Sequence, residues 1–195
     1  AMLTYDQVVG SVAKGLPHRV VMPIDFSYGG DAIVADKSIT SIADFKGKQV
    51  GFNPLSPSDF LLAYALQING MGEKDIQSVN MTPEGIPSAM ASGSLPIGVT
   101  YEPNVSQILA MGGGDKFHVV YSSKDAPGLI TDVLAFTEEQ IEENPEAITA
   151  MIKGYQAGLE YMQAHPEESA EIIGKVLGVS GAEALEQMEG VYNIP

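Results

Sequence analysis

Three short segments of this chain carry side chains that could hold a small polar molecule. The first is Thr100-Tyr101-Glu102-Pro103, at the end of the apolar run Ile97-Val99. The run reads as a buried strand. Pro103 stops it and suits the first turn of a helix. Polar and aromatic groups at the C-terminal end of a strand in an α/β protein stand where ligands usually bind. The second segment is Leu55-Ser56-Pro57-Ser58-Asp59-Phe60, after the strand-like Gln49-Phe52. Ser56 suits an N-cap, Pro57 the next position, and Asp59 completes a capping-box-like pattern. Free N–H groups at such a helix start form an anion site. Two readings stay open here, because Ser56 and Asp59 can equally serve as caps alone. The third segment, Pro23 to Asp31, sets Asp25, Phe26, Ser27, Tyr28, two glycines and Asp31 between two strand-like runs. An ordinary polar turn and a set of ligand contacts both fit that composition. Ala126 to Asp132 contains Pro127-Gly128, by itself a generic turn signal.

Alternating elements must position these segments. Short apolar or β-branched runs predict strands at Arg19-Met22, Ala32-Ala35, Gln49-Phe52, Ile76-Asn80, Ile97-Thr100, His118-Tyr121 and Asp132-Thr137. Helical patterns lie between most of them, at Asp6-Lys14, Ser41-Phe45, Ser58-Asn69, Glu84-Ser92 and Val105-Met111. Such alternation predicts an α/β protein with mostly parallel sheets and flanking helices. Beyond Thr137 the pattern predicts only helices. Asn144 and Pro145 open one along which Ile148, Ile152, Tyr155, Leu159 and Met162 recur. Others are expected from Glu167 to Leu177 and from Ala182 to Met188.

Composition narrows the partners. With 25 acidic and 10 basic residues the formal net charge is −15. That argues against nucleic acid and anionic membrane, both of which require basic patches. The absence of Cys excludes disulfides, thiolate metal sites and a Cys nucleophile. His18, His118 and His165 show no metal-ligand spacing. No nucleophile-elbow, Walker or dinucleotide fingerprint occurs, so no cofactor or metal is expected.

Taken in order, the motifs resemble those of solute-binding proteins serving ABC importers, in the nitrate/sulfonate/taurine branch. Asp25 to Ala35 resembles that family's D-Y-S-N-G-x-D-A-I-V-A crossover. Ser41 to Gly51 resembles its S-V-A-D-L-K-G-K-x-V-G. Thr100 to Pro103 resembles T-W-E-P, and Pro127 to Leu134 resembles P-G-L-I-P-D-V-L. Ser56 to Leu62 falls on the family's ligand-binding helix start. The resemblance covers nearly the whole chain. It also implies a further N-terminal region before Ala1, which makes the first lobe incomplete.

The resemblance implies a two-lobed type II periplasmic-binding-protein-like fold. Lobe 1 would hold residues 1–30 and 132–195, and lobe 2 residues 31–131. It implies non-catalytic capture of a small solute between the lobes, with hinge strands at Asp31-Ala35 and Asp132-Thr137. Tyr5, Phe26, Tyr28 and Tyr101 would supply aromatic walls. Ser27, Ser56, Ser58 and Thr100 would supply hydrogen bonds, while Asp25, Asp59 and Glu102 would hold an amine. Asp132 lies in the return crossover and completes the set. Tyr101 stands where the family has Trp, and Tyr28 where it has Asn. Asp59 stands where a neutral or basic residue is common, and its carboxylate competes with an anionic ligand. A taurine-like amino-sulfonate or other nitrogen-containing solute is therefore expected over a bare anion. The implied protein is a periplasmic or extracellular monomer that delivers solute to a membrane permease, with a lipid anchor possible on the missing N-terminus. A sensing module of the same fold is the alternative. A thiamine-pyrimidine synthase-like enzyme fits less well, since that chemistry resembles one needing Cys and clustered His.

Overall fold

Residues 1–194 are described by a computed structural model, in which the chain divides into two units. Unit 1 is Ala1–Phe26 with Thr131–Pro195, and unit 2 is Ser27–Ile130. The chain begins with β1 (Met2–Thr4), α1 (Tyr5–Ala13), β2 (His18–Ser27), β3 (Asp31–Asp36), β4 (Gln49–Phe52) and α2 (Pro57–Ile68). It continues through β5 (Gln77–Asn80), α3 (Ile86–Ala91), β6 (Ile97–Tyr101), α4 (Asn104–Leu109) and β7 (Phe117–Ser122). It closes with β8 (Thr131–Thr137), α5 (Glu138–Glu143), α6 (Pro145–Ala164), α7 (Pro166–Leu177), α8 (Gly181–Met188) and β9 (Val191–Asn193).

Unit 2 is a five-stranded sheet in the order β5-β4-β6-β3-β7 with helices on both faces. The two-residue period of β3 divides its core. Ile33 and Ala35 point into a cluster with Phe45, Val50, Ile97 and the α2 residues Leu61, Leu62 and Leu66. Ala32 and Val34 point the other way, onto Ile86 and Met90 of α3 and Val105 and Ile108 of α4. Gly98 of β6 permits the second contact. A Cβ there would collide with Ile86 Cγ2 and stand 2.8 Å from Met90 Sδ. Unit 1 is a four-stranded sheet, β1-β8-β2-β9. From β8, Leu134 and Phe136 face Ile24 and the α6 residue Ile148. Val133 and Ala135 face Val8 of α1.

The expectation of mostly parallel sheets is corrected. β4 is parallel to β5 and β6, but β3 is antiparallel to both β6 and β7. In unit 1, β1 and β2 both run antiparallel to β8. A crossover helix enforces parallel pairing only where one links the two strands, as α2 links β4 to β5. β3 arrives through a short turn from β2 and is under no such constraint. The expectation of a purely helical tail is corrected too, since β9 adds a fourth strand to unit 1. The strand expected at Arg19-Met22 is β2, which continues through Pro23 to Ser27 instead of stopping at Met22. Pro23 is tolerated because the ladder shifts register between Val20 and Met22 and again between Pro23 and Asp25.

Candidate functional site

Sheet register in unit 2 gathers several of the sequence-named residues along one rim. β4 and β6 are parallel neighbours, so the loop after Phe52 and the end of β6 share an edge. β3 is antiparallel to β6, with Asp31 opposite Tyr101, and therefore begins at that edge. Ala32 opposes Ser122, which puts the end of β7 there as well. Ser27-Asp31, Ser56-Asp59, Thr100-Glu102 and the Ser123-Lys124 turn thus meet at the strand ends where α/β sheets bind ligands.

Individual side chains on this rim differ in how free they are. Ser27 is buried, and its hydroxyl shares a 2.7 Å hydrogen bond with that of Ser123. Ser123 Oγ also accepts from the Gly29 N–H at 2.8 Å, and Ser27 Oγ from the Asp31 N–H at 3.1 Å. These two hydroxyls hold the turn that starts β3. Thr100 is fully buried and its hydroxyl accepts from Asn104 Nδ2 at 3.2 Å. Glu102 caps α4, accepting from the Ser106 N–H at 3.1 Å and its hydroxyl at 2.9 Å. Asp59 accepts from the Leu55 N–H at 2.8 Å, and the Ser56 hydroxyl donates to the Asn53 carbonyl at 2.6 Å. Tyr28 lies under the Lys124 ammonium, 5.4 Å from the ring centre. Tyr101 is partly exposed, and its phenol is pushed above the usual range by burial first and then by the charges of Glu84 and Asp31. It remains a hydrogen-bond donor at neutral pH. Ser58 is different: it is 1% exposed, and its hydroxyl has no hydrogen-bond partner among the described residues. It sits in the first turn of the 12-residue helix α2, whose free N–H groups favour an oxyanion.

In unit 1 the central feature is a pair of carboxyls. Asp25 on β2 and Asp132 on β8 are directly opposed across the ladder, and Thr4 of β1 opposes Asp132 on its other side. The Asp25 carboxyl is pushed up to about 7, by burial first, then by the charge of Asp132 and a hydrogen bond to it. Burial also raises Asp132, as does the charge of Asp6, while the Asp25 hydrogen bond opposes the rise. Burial and the close approach of two carboxyls therefore favour one proton held between the pair. Tyr155 of α6 feels both carboxylates, and its phenol is raised by burial and by their charge. The same tyrosine lines a groove of about 430 Å³ with Met22, Pro23, Leu159 and Ile194. Phe26 stacks on Tyr192 of β9, ring centres 4.8 Å apart. Tyr5, named as an aromatic wall, is 53% exposed at the head of α1, at helical spacing from the exposed Val9 and Val12.

Sequence reasoning had named Asp25 and Asp132 separately and did not pair them. It missed Asp6, Tyr155, Tyr192, Asn104, Ser123 and Lys124. Lys124 could have been found as a basic residue just before the Pro127-Gly128 turn. The others needed tertiary register.

The fold is similar to those of solved periplasmic binding proteins. It matches the periplasmic aliphatic sulphonate binding protein SsuA of Escherichia coli with a TM-score of 0.83, at 20% identity, over 100% of this chain and 68% of that one. Residues 2–169 match the family model described as NMT1/THI5 like, and the chain belongs to that family. A protein of Brucella abortus (strain 2308) that is named, but not shown, as a binding protein is 30% identical over 159 residues, 78% of this chain and 48% of its own length. The riboflavin-binding protein RibY of Chloroflexus aurantiacus is 26% identical over 168 residues, 82% of this chain and 45% of its own. The chain thus spans about half the length of the curated relatives it matches. No helix among the described residues is long and apolar enough to cross a membrane.

Proposed function

We propose that this protein captures a small nitrogen-containing solute, such as an amino-sulfonate of the taurine type, without transforming it. It would deliver that solute, as a periplasmic or extracellular monomer, to the membrane permease of an ABC importer. The observation that carries this is the Asp25–Asp132 pair. Two directly opposed carboxyls with no cation among the groups acting on them are costly when both ionised. An ammonium group relieves that cost and gains two charge-assisted hydrogen bonds. Tyr155, which both carboxyls act on, also lines a groove of about 430 Å³ whose lining does not include the pair itself. Unit 2 by itself offers an oxyanion seat at the start of α2, with the buried Ser58 hydroxyl as donor. The ligands in the relatives' names agree with a solute of mixed character. A sulphonate brings the anionic head and riboflavin a nitrogen-rich ring.

A thermal-shift screen tests the reading. Taurine, ethanesulfonate, nitrate and riboflavin would each be offered well above micromolar concentration. A ligand at about 100 times its Kd stabilises by about 2.7 kcal/mol. A shift with taurine exceeding that with ethanesulfonate is expected. Equal or absent shifts for the amine-bearing probe would overturn amine capture. Ser58→Ala gives a second check. Loss of a buried unpaired hydroxyl should leave the melting temperature unchanged or slightly higher. Sulfonate affinity should nevertheless fall by about 10- to 100-fold, the value of one hydrogen bond to a charged acceptor, when read by calorimetry.

A further inference from the structure

Resting on the amine-capture reading, we propose that solute binding is proton-linked: the incoming ammonium displaces the one proton that Asp25 and Asp132 share. The geometry is specific. Asp25 and Asp132 occupy opposed positions on β2 and β8, each one residue inside unit 1 from a point where the chain passes to unit 2. Asp6 of α1 faces Asp132, and Tyr155 of α6 faces both. β1 contributes Thr4, and β9 contributes Tyr192, which stacks on Phe26 next to Asp25. Every titratable group brought to the pair is thus an acid or a phenol. Two further oxygens beside it, Thr4 Oγ1 and Asp6 Oδ1, are wholly buried and have no partner among the described residues. The Asp6 oxygen lacks a donor and the Thr4 hydroxyl can accept one, so both suit a ligand with several N–H bonds.

The exchange balances simply. The free protein holds one carboxylic acid and one carboxylate. The ammonium enters with its own charge and protons, both carboxyls become carboxylates, and one proton leaves to solvent. No covalent bond changes. The Asp25 proton is held up to about pH 7, which sets the window. Below it, solute competes with a bound proton and affinity falls as pH falls. Above it, affinity levels off until the amine loses its own proton. Acidification would therefore release the solute.

The test uses taurine as probe, with ethanesulfonate as the amine-free control. Calorimetry would run between about pH 5.5 and about pH 8.5, in two buffers of different ionisation enthalpy. Taurine Kd is expected to improve about tenfold per pH unit up to about 7 and then to flatten, with about one proton released per solute bound. Ethanesulfonate should show no such gain. In Asp25→Asn the taurine slope should vanish. A ligand-free arm follows the Asp carboxyl ¹³C shifts with pH, where one carboxyl is expected to titrate near neutrality. A pH-independent taurine Kd without proton release overturns the linkage while leaving capture intact. So does an unchanged slope in Asp25→Asn, or ordinary titration of both carboxyls. Failure of taurine to bind at any pH overturns capture and linkage together.

Discussion

Replacing Asp25 and Asp132 together by Asn should cost at least about 100-fold in affinity for an amine-bearing solute while making the free protein more stable at pH 8. The two effects have one origin. In the free protein, burial holds both carboxyls above the ordinary carboxylate range, and the charge of Asp132 raises Asp25 further. An acid whose proton is bound more tightly in the folded than in the unfolded chain stabilises folding at low pH. That contribution is lost as pH rises from about 4 to about 7, and the loss is complete above the folded value. In a sealed interior a tenfold change in proton affinity is worth about 1.4 kcal/mol. The pair is only partly shielded, so the discounted gain for the double variant at pH 8 is about 1–2 kcal/mol. That corresponds to a rise in melting temperature of about 2–6 °C. At pH 4, where the unfolded chain also holds much of its proton, the two proteins should melt at nearly the same temperature. The loss of affinity follows from removing two charged acceptors, each worth about 1.5–3 kcal/mol when buried against a cation. Melting curves at the two pH values and one binding isotherm decide it. A variant that is destabilised at pH 8 would mean the pair is a structural hydrogen bond and not a site held ready for a cation.

Gly98→Val should destabilise unit 2 by about 3 kcal/mol or more, the largest loss expected of any single change discussed. The added Cβ meets Ile86 and Met90, both fully buried, so neither can swing away into solvent. Val is otherwise favoured in strands, and propensity alone predicts a gain. The sign of the result thus separates packing from propensity. Gly98→Ala should cost less, and in an Ile86→Ala background, which removes the Cγ2 that the new Cβ meets, Gly98→Ala should cost less still. Urea unfolding followed at Tyr101 and Tyr121 reports on this unit. Gly98 lies two residues before Thr100 on the same strand, so a displaced β6 would also disturb the rim that holds Tyr101 and Glu102. Unchanged stability in Gly98→Val would show that α3 does not pack on β6 as closely as described.

Much of this protein can be read from its residues alone. The strands of unit 2 are legible because β-branched runs such as Ala32-Ile33-Val34-Ala35 are bounded by glycine, proline and charge. Gln49-Phe52 was placed with the bounds it has, and the helix after Ser56 was placed to within a residue. Local signals suffice there because a cap, a proline and a helical repeat each act within a turn or two of the chain. The α/β class and the candidate segments followed from the same signals.

Strand direction did not follow, because a parallel or antiparallel neighbour is chosen by how the chain arrives, and β3 arrives from β2 without a helix. The strand Pro23-Ser27 was missed because Pro lowers strand propensity. Only the bulged register with β8 makes room for it. β9 is three residues long and carries no local signature strong enough to compete with the helices before it. The site shows the same division. Residue types named Asp25, Ser58, Tyr101 and Asp132 as chemistry-bearing, since a carboxylate or a hydroxyl is what it is in any fold. Their states were decided by tertiary structure. Cross-strand register put Asp25 opposite Asp132, burial raised both carboxyls above their ordinary range, and helix α2 buried the Ser58 hydroxyl without a partner among the described residues. Those properties depend on desolvation and on distances between residues far apart in sequence, which no local pattern encodes.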